Sequence, residues 1–350
     1  VRVSMNFLVM SDVHAFPFKP YSKITKEGYN SRLVETTNVL KWAGDVCKEN
    51  EITEMVIAGD LYHVRPKVGV STAHLTALAL QYILDQGVKI FILVGNHDMA
   101  DDGTGLNNLK PYQSDKIDII DRICTRKIDG KLVGFCPYTN EKSYVNRAYK
   151  FFHDKKCYGV ITHLGLKGGE VGPCGFETPG DISAEDLDGD FKWTIMGHYH
   201  KKQFVCHDPI VYYCGSPLQH DWGERGNENG LTIVDDEDLN FVENTFSPRF
   251  VMVEEGNDEV PRPIDYVRVK GRNDERVKEL RDKFKLDSEK FQDTNIREET
   301  DFVSETTERV KLAGLGQRVV LKNYLEYAGI PEEDHEDYIE IGMDLLMRSS

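Results

Sequence analysis

Cysteine frameworks, long apolar runs and surplus positive charge are all missing from this 350-residue chain. Its seven cysteines (Cys47, Cys124, Cys136, Cys157, Cys174, Cys206, Cys214) form no C-x-x-C pair and no zinc-like spacing. That argues for reduced thiols in a cytoplasmic chain and against a disulfide scaffold. No apolar run approaches the roughly 20 residues needed to cross a bilayer, so a membrane-spanning helix is not expected. The first ten residues carry no basic-then-apolar leader and read as a buried strand. Basic side chains number 43 against 59 acidic, a net charge of -16, which is not the balance of a protein held to nucleic acid by its global field. The veto is weak, because a site that holds metal ions brings its own positive charge. What is present, 40% hydrophobic and 10% aromatic residues, excludes general disorder and fits one large domain or two to three smaller ones.

One pattern recurs through the first two hundred residues: a short apolar run stops abruptly in a cluster of Asp, His, Asn and Gly. Phe7-Leu8-Val9-Met10 leads into Ser11-Asp12-Val13-His14, and Met55-Val56-Ile57-Ala58 into Gly59-Asp60-Leu61-Tyr62-His63. Ile90-Phe91-Ile92-Leu93-Val94 leads into Gly95-Asn96-His97-Asp98. Tyr158-Gly159-Val160-Ile161 leads into Thr162-His163, and Trp193-Thr194-Ile195-Met196 into Gly197-His198-Tyr199-His200. Continuous Val- and Ile-rich runs of this length read as strands buried on both faces. Helical periodicity fills Ser31–Asn50 and Val70–Gln86, the second stopped by Gly87. Strand, helix, strand, helix, strand predicts right-handed crossovers and a largely parallel sheet, an α/β fold. The five polar clusters then emerge at the carboxyl ends of strands, where such sheets place their sites.

After His200 the texture changes. Gln203–Cys206, Ile210–Tyr213 and Leu231–Val234 read as short strands in antiparallel pairing, closing a second sheet against the first. A boundary is expected near residue 250, where Glu254-Glu255-Gly256-Asn257-Asp258-Glu259 precedes Pro261 and Pro263. Residues 251–350 hold 16 basic and 25 acidic side chains, so -9 of the net -16 lies there. Ile264–Val269 reads as a strand and Asp274–Phe284 as a helix of a small accessory domain. Residues 287–308 read as an acidic linker or loop. Gln317–Tyr327 and Glu332–Arg348 read as two final helices. The division predicted is 1–250, 251–308 and 309–350.

Six of the eleven histidines fall in the clusters: His14, His63, His97, His163, His198 and His200. Imidazole with carboxylate and carboxamide oxygen is a ligand set for borderline cations such as Mn, Fe or Zn. Two ions about 3.5–4 Å apart need a ligand common to both, and a carboxylate can serve. Asp12-x-His14 and His198-x-His200 can each turn two donors to one side of an extended segment. Gly59, Gly95 and Gly197 suit tight turns from strand into ligand loop. Taken singly, D-x-H or a lone histidine fits an ordinary turn or a satisfied core residue; the five together, each at a strand end, argue for chemistry.

This series, Asp12-x-His14, Gly59-Asp60, Gly95-Asn96-His97-Asp98, His163 and Gly197-His198-x-His200, resembles the calcineurin-like metallophosphoesterase superfamily over roughly the first 250 residues. His63 in G-D-x-x-H, Asp98 in G-N-H-D, and the segments Tyr213–Gln219 and Asp221-Trp222-Gly223-Glu224 are similar to SbcD-type nucleases of double-strand-break repair, and the short C-terminal region resembles the phage members more than the cellular ones. The resemblance implies a four-layer αββα sandwich with a small α+β capping domain and C-terminal helices. It implies two divalent ions, Mn2+ first and Mg2+ second. Asp12, His14, Asp60 and His200 would hold one, and Asp60, Asn96, His163 and His198 the other. It makes His97 the leaving-group acid or transition-state stabiliser, with Asp98 orienting it and His63 assisting with the substrate phosphate. It implies DNA as substrate, an SMC-like SbcC-type ATPase as partner, and a homodimer within a heterotetramer. Tyr338, Ile339, Ile341, Met343, Leu345, Leu346 and Met347 give the last helix an apolar surface for intramolecular packing or for docking that partner. Lys19, Lys23, Lys26, Arg65, Lys67, Lys201 and Lys202 flank the clusters as a phosphate-reading set, though each alone fits a solvated surface charge. Two rivals stay open: another phosphoesterase on the same fold, and a non-catalytic scaffold. His63, the Gly-Ser-Pro segment and the 100-residue extension argue against the first, and the complete ligand set against the second.

Overall fold

A computed structural model describes residues 5–65, 67–100, 105–171, 176–177, 182–187, 189–236, 238–257, 259–284, 286 and 296–300, together with 322, 325, 335, 338 and 339. The chain forms two compact units, Val1–Thr300 and Asp301–Ser350.

The first unit begins with β1 (Asn6–Met10), α1 (Ser31–Glu49), β2 (Glu54–Ile57), α2 (Val70–Asp85) and β3 (Lys89–Leu93). Then follow β4 (Ile117–Ile120), β5 (Cys124–Ile128), β6 (Lys131–Cys136), α3 (Lys142–Asp154) and β7 (Gly159–His163). A two-stranded ribbon, β8 (Glu170–Val171) and β9 (Phe176–Glu177), leads to β10 (Trp193–Gly197). Next are β11 (Gln203–His207), β12 (Ile210–Tyr213), β13 (Gly230–Asp235) and β14 (Leu239–Glu243). Last come β15 (Phe250–Val253), β16 (Tyr266–Gly271), α4 (Asp274–Lys283) and β17 (Ile296–Thr300).

Two six-stranded sheets form, in the orders β14-β13-β1-β2-β3-β4 and β11-β12-β10-β7-β6-β5. β1 to β4 run parallel, as do β12, β10, β7 and β6. The continuous apolar runs follow from burial on both faces. Leu8, Met10, Met55, Ile57, Ile90 and Ile92 join the core shared with Leu40 and Ala43 of α1 and Leu80 and Ile83 of α2. The alternate residues Phe7, Val9, Val56, Phe91 and Leu93 pack instead against Phe135, Ile161, Trp193 and Ile195 of the second sheet. Val160 and Met196, on the outer face of that sheet, pack with Val145, Ala148 and Phe152 of α3. The layers are therefore helix, sheet, sheet, helix, the four-layer α/β sandwich.

Helix starts are chemically marked. The Asn30 side chain accepts from the backbone N–H of Arg32 at 2.9 Å and Leu33 at 3.2 Å, capping α1. α2 starts after Gly69 with no side-chain cap, and ends where Gly87 takes a φ of 84°.

The structure modifies the expectations from sequence at three points. First, the strands after His200 do pair antiparallel, β11 with β12 and β13 with both β14 and β1, but β12 also runs parallel to β10, and the four strands divide between the two sheets instead of forming one of their own. β12 is buried at Val211 and Tyr213 and β13 at Leu231 and Val234, so the core decides the pairing, not the short turns between them. Second, Ile296–Thr300, read as part of a linker, is a strand paired parallel to β16, which itself pairs parallel to β15. Its charged composition hid it, since a strand at a sheet edge needs no apolar run. Third, α3 and β4 to β6 were not anticipated in the stretch before Tyr158. The remainder of 287–308 lies outside the described residues. So does most of the two final helices, although Lys322, Leu325, His335, Tyr338 and Ile339 are helical. Cys174 is also outside; the other six cysteines are free thiols. No described helix is long and apolar enough to cross a membrane.

Candidate metal centre

The parallel strands bring their exits to one edge of the sandwich. The β1 and β2 exits run side by side: Asp12 N–H donates to the Gly59 carbonyl at 3.1 Å, and His14 N–H to that of Asp60 at 3.0 Å. In the second sheet, Gly197 of β10 is paired with His163 of β7.

Seven donors fall into two groups with one atom in common. In the first, His14 Nε2 lies 3.0 Å from His200 Nε2, 3.9 Å from Asp12 Oδ1 and 3.7 Å from Asp60 Oδ2. His200 Nε2 is 3.8 Å from the same Asp12 oxygen. In the second, His163 Nε2 lies 3.3 Å from Asp60 Oδ2 and 3.1 Å from Asn96 Oδ1, and His198 Nδ1 is 3.1 Å from that Asn96 oxygen. Ligands each held about 2.0–2.2 Å from one cation stand roughly 3–4 Å from each other, so both groups fit a divalent ion. Asp60 Oδ2 belongs to both.

The local backbone is shaped for this. Asp12, His14, Asp60 and His198 take φ of 55°, 47°, 53° and 100°, in the left-handed region that side chains avoid at about 1–3 kcal/mol each. Gly59, with φ of 101°, has no room for a side chain: a Cβ there would lie 2.2 Å from His163 Nδ1. Gly95 does not need a positive φ; it needs the space, because a Cβ would meet Asp60 Oδ1 at 2.1 Å.

A ring of outer contacts aims the donors. His163 Nδ1 donates to the Ala58 carbonyl at 2.8 Å, leaving Nε2 toward the donor group. His200 Nδ1 pairs with Glu224 Oε1 at 2.6 Å. The other Glu224 oxygen accepts from His220 N–H at 3.0 Å and from Ser216 Oγ at 3.3 Å, and His220 Nε2 donates to the Asp12 carbonyl at 2.9 Å. Asp98, fully buried, accepts from the backbone N–H groups of Asp60 at 2.9 Å, Gly95 at 3.0 Å and Tyr62 at 3.0 Å. Both its oxygens thus serve the backbone of the β2 and β3 exits.

Charge is distributed unevenly. Burial disfavours charge on His163, but the Asp60 carboxylate outweighs it and raises the imidazole to about 9. Burial opposes charge on His200 as well, and Glu224 overcomes it to give about 9, while the Glu224 carboxyl, resisting burial through His200 and His220, falls to about 2. Burial and neighbouring imidazoles hold His14 well below the ordinary range and His198 at about 3. Burial, then the adjacent Asp60, pushes Asp98 up to about 7.

The two remaining cluster histidines stack on each other, ring centroids 5.6 Å apart and planes within 8°. His97 Nδ1 donates to the His63 carbonyl at 2.5 Å, and its backbone N–H donates to Asp60 Oδ1 at 2.9 Å. His63 Nδ1 is 3.3 Å from His14 Nδ1, and burial with the His97 ring lowers its pKa to about 4. Phe16 and Phe18 close its other side at 5.1 and 4.7 Å.

Among the basic candidates, Lys19, Lys23, Lys26 and Lys67 are exposed and Arg65 is half-buried. Lys201 and Lys202 are half-buried and carry acidic partners: Lys201 bonds Glu170, and Lys202 lies 2.5 Å from Glu228 and over the Phe241 ring at 3.8 Å. The residue reading missed Glu224 and His220 as supports of the donors. The only sequence signal was the Asp221-Trp222-Gly223-Glu224 segment, which names a motif without a task.

A family model described as calcineurin-like phosphoesterase matches residues 5–202. The exonuclease subunit 1 of Enterobacteria phage T4 is 23% identical over 207 residues, which cover 57% of this chain and 57% of that protein. The SbcD subunit of the nuclease SbcCD from Bacillus subtilis (strain 168) is 28% identical over 257 residues, 60% of this chain and 63% of the relative. The chain thus spans less than two thirds of either relative's length. Among solved structures, purple acid phosphatase PPD1 from yellow lupin matches 67% of this chain and 50% of its own at 14% identity, with a TM-score of 0.42.

Proposed function

This chain belongs to the calcineurin-like phosphoesterase family, and we propose that within it the protein is a two-metal DNA nuclease, the catalytic subunit of an SbcCD-like recombination and repair complex. The observation that carries the two-metal part is the single oxygen Asp60 Oδ2, lying 3.7 Å from His14 Nε2 in one donor group and 3.3 Å from His163 Nε2 in the other. Asp12, His14, Asp60 and His200 hold one divalent ion, Mn2+ in this reading, and Asp60, Asn96, His163 and His198 hold the second. When bound, such a pair supplies Lewis-acid polarisation of a phosphate diester and of the attacking water.

The chain's own groups do the rest. His97, with Nδ1 committed to the His63 carbonyl, keeps Nε2 as the ring atom that delivers a proton to the departing sugar oxygen. Asp98 positions the loop that carries His97 by holding the Gly95 and Asp60 amides. His63, neutral at physiological pH, offers a hydrogen bond to the phosphate and not a charge. The exposed Lys19, Lys23 and Lys67, with Arg65, receive flanking phosphates. Lys201 and Lys202 contribute less, their charges being offset by Glu170 and Glu228. DNA as substrate is supported by the two nuclease relatives and by the His63 and Gly-Ser-Pro segments. With an acidic chain, affinity for DNA comes largely from an SMC-like ATPase partner and from a second copy in the complex.

The test is manganese-dependent cleavage of end-labelled single- and double-stranded DNA by wild type, His97→Ala and Asp60→Ala, with bis-p-nitrophenyl phosphate in parallel. DNA cutting that both substitutions abolish is the expected result. Hydrolysis of the small diester alone, even with the ATPase present, would replace the nuclease by a generic phosphoesterase.

A further inference from the structure

Beside the metal centre lies a cavity of about 230 Å³ whose lining includes Ala15, Phe16, Tyr62, Val64, Val68 and Lys67. It sits between the β1 and β2 exits, which a bridge from Ala15 to Tyr62 ties together, one residue beyond His14 and one before His63. Resting on the nuclease reading above, we propose that this cavity receives the base of a nucleotide next to the scissile phosphate, turned out of the stack.

Three features choose a nucleobase as the occupant. The volume suits one small planar group, below the roughly 300–1,000 Å³ usual for drug-sized ligands. Its lining is largely apolar with the rings of Phe16 and Tyr62, and Phe16 meets the His63 ring, tilted, at 5.1 Å and the Phe18 ring, edge-on, at 5.1 Å, an aromatic wall between the cavity and the donors. The exposed Lys67 adds positive charge at the same cavity, where the phosphate joined to a turned-out nucleotide must pass. Stacking of this kind accepts any base and favours unpaired strands. The cavity makes strand opening part of cleavage: a paired nucleotide reaches the ions only after leaving its partner.

The experiment compares kcat/KM, with Mn2+, on a single-stranded oligonucleotide and on the same strand with a run of tetrahydrofuran abasic nucleotides spanning the cleaved positions. Wild type is expected to favour the intact strand by roughly 10- to 100-fold. Phe16→Ala removes the stacking ring. Gly69→Leu fills the cavity with little disturbance, since a Cβ there meets only Thr72 Oγ1 at 3.7 Å and the residue's φ is −66°. Both variants should cut the two strands nearly alike. Wild type that cuts both alike, or variants that keep its preference, overturn the proposal. A wild type that leaves both strands intact while hydrolysing bis-p-nitrophenyl phosphate overturns the nuclease reading itself, and this inference with it.

Discussion

The two donor groups share Asp60 yet are braced in different ways. The group with Asn96, His163 and His198 leans on the strand ends: His163 is fully buried and its Nδ1 is held by the backbone carbonyl of Ala58, the residue just past β2 of the other sheet. The group with Asp12, His14 and His200 leans on a later segment: His200 is about 30% exposed and is held by Glu224, which stands 24 residues on in the chain. One group is fixed by fold geometry, the other by a buried charge. The lesson is that strand ends alone set the sheet-braced group, whereas the other also needs the loop from Ser216 to Glu224.

The strongest way to break this contrast is to remove the shared atom. Asp60→Asn should abolish both ions' tight binding and lower phosphodiester hydrolysis by on the order of 10³-fold or more, read by Mn2+ calorimetry beside an activity assay. Loss of only one equivalent would mean the groups are independent. A finer cut is Glu224→Gln, which keeps the hydrogen-bonding shape and removes the charge. It should weaken one of the two Mn2+ equivalents by about 10- to 100-fold and leave the other near wild type. Equal weakening of both would erase the distinction between the groups.

The smallest effect is a count of protons. His163 and His200 are each raised to about 9, by Asp60 and by Glu224 acting against burial. In the cation-free protein the His200–Glu224 pair stabilises the fold fully only between the ordinary carboxylate and imidazole ranges; the contribution is lost as pH rises through about 9, where His200 deprotonates, and as pH falls toward about 2, where Glu224 protonates. Cation binding runs the opposite way, because the proton must leave, so affinity falls as pH drops below about 9. Near neutral pH, uptake of two ions should release about two protons, one from each group. Glu224→Gln should reduce that to about one, measured by calorimetry in buffers of different ionisation enthalpy. An unchanged release would place the second proton elsewhere than His200.

The same contrast separates what residues alone reveal from what they hide. As candidate donors, Asp12, His14, Asp60, Asn96, His163, His198 and His200 stood out because chemically distinctive side chains follow apolar strands and parallel strands put such ends on one edge, while their division between two ions rested on the family resemblance. β1, β2, β3, β7 and β10 were legible for the same reason, their runs being buried on both faces. Glu224 was not: a supporting carboxylate obeys no spacing rule, and its partner is fixed only by the loop that returns it to the site. Asp98 sits inside a readable motif and one backbone partner, Gly95, lies within it, but the other two lie 36 and 38 residues away, invisible to any local pattern. α3 went unread although Val145, Ala148, Tyr149 and Phe152 form a buried stripe, because Lys, Arg and Asn between them mask it. β17 was hidden by the opposite cause, a strand with almost no apolar content.

Asp98 also bears on how such a protein can change over generations. Because one carboxylate grips amides from two strand exits, the segments from Asp60 to Tyr62 and from Gly95 to Asp98 have a fixed combined length. An insertion in either pulls its amides off the shared carboxylate and leaves a buried acid short of partners, a cost of about 1–3 kcal/mol. A changed length should be tolerated better in segments outside this grip, such as the stretch between Met99 and Asn107, whose two ends are joined by a backbone bridge. Neither exit can change length without loosening the other's hold on the shared carboxylate.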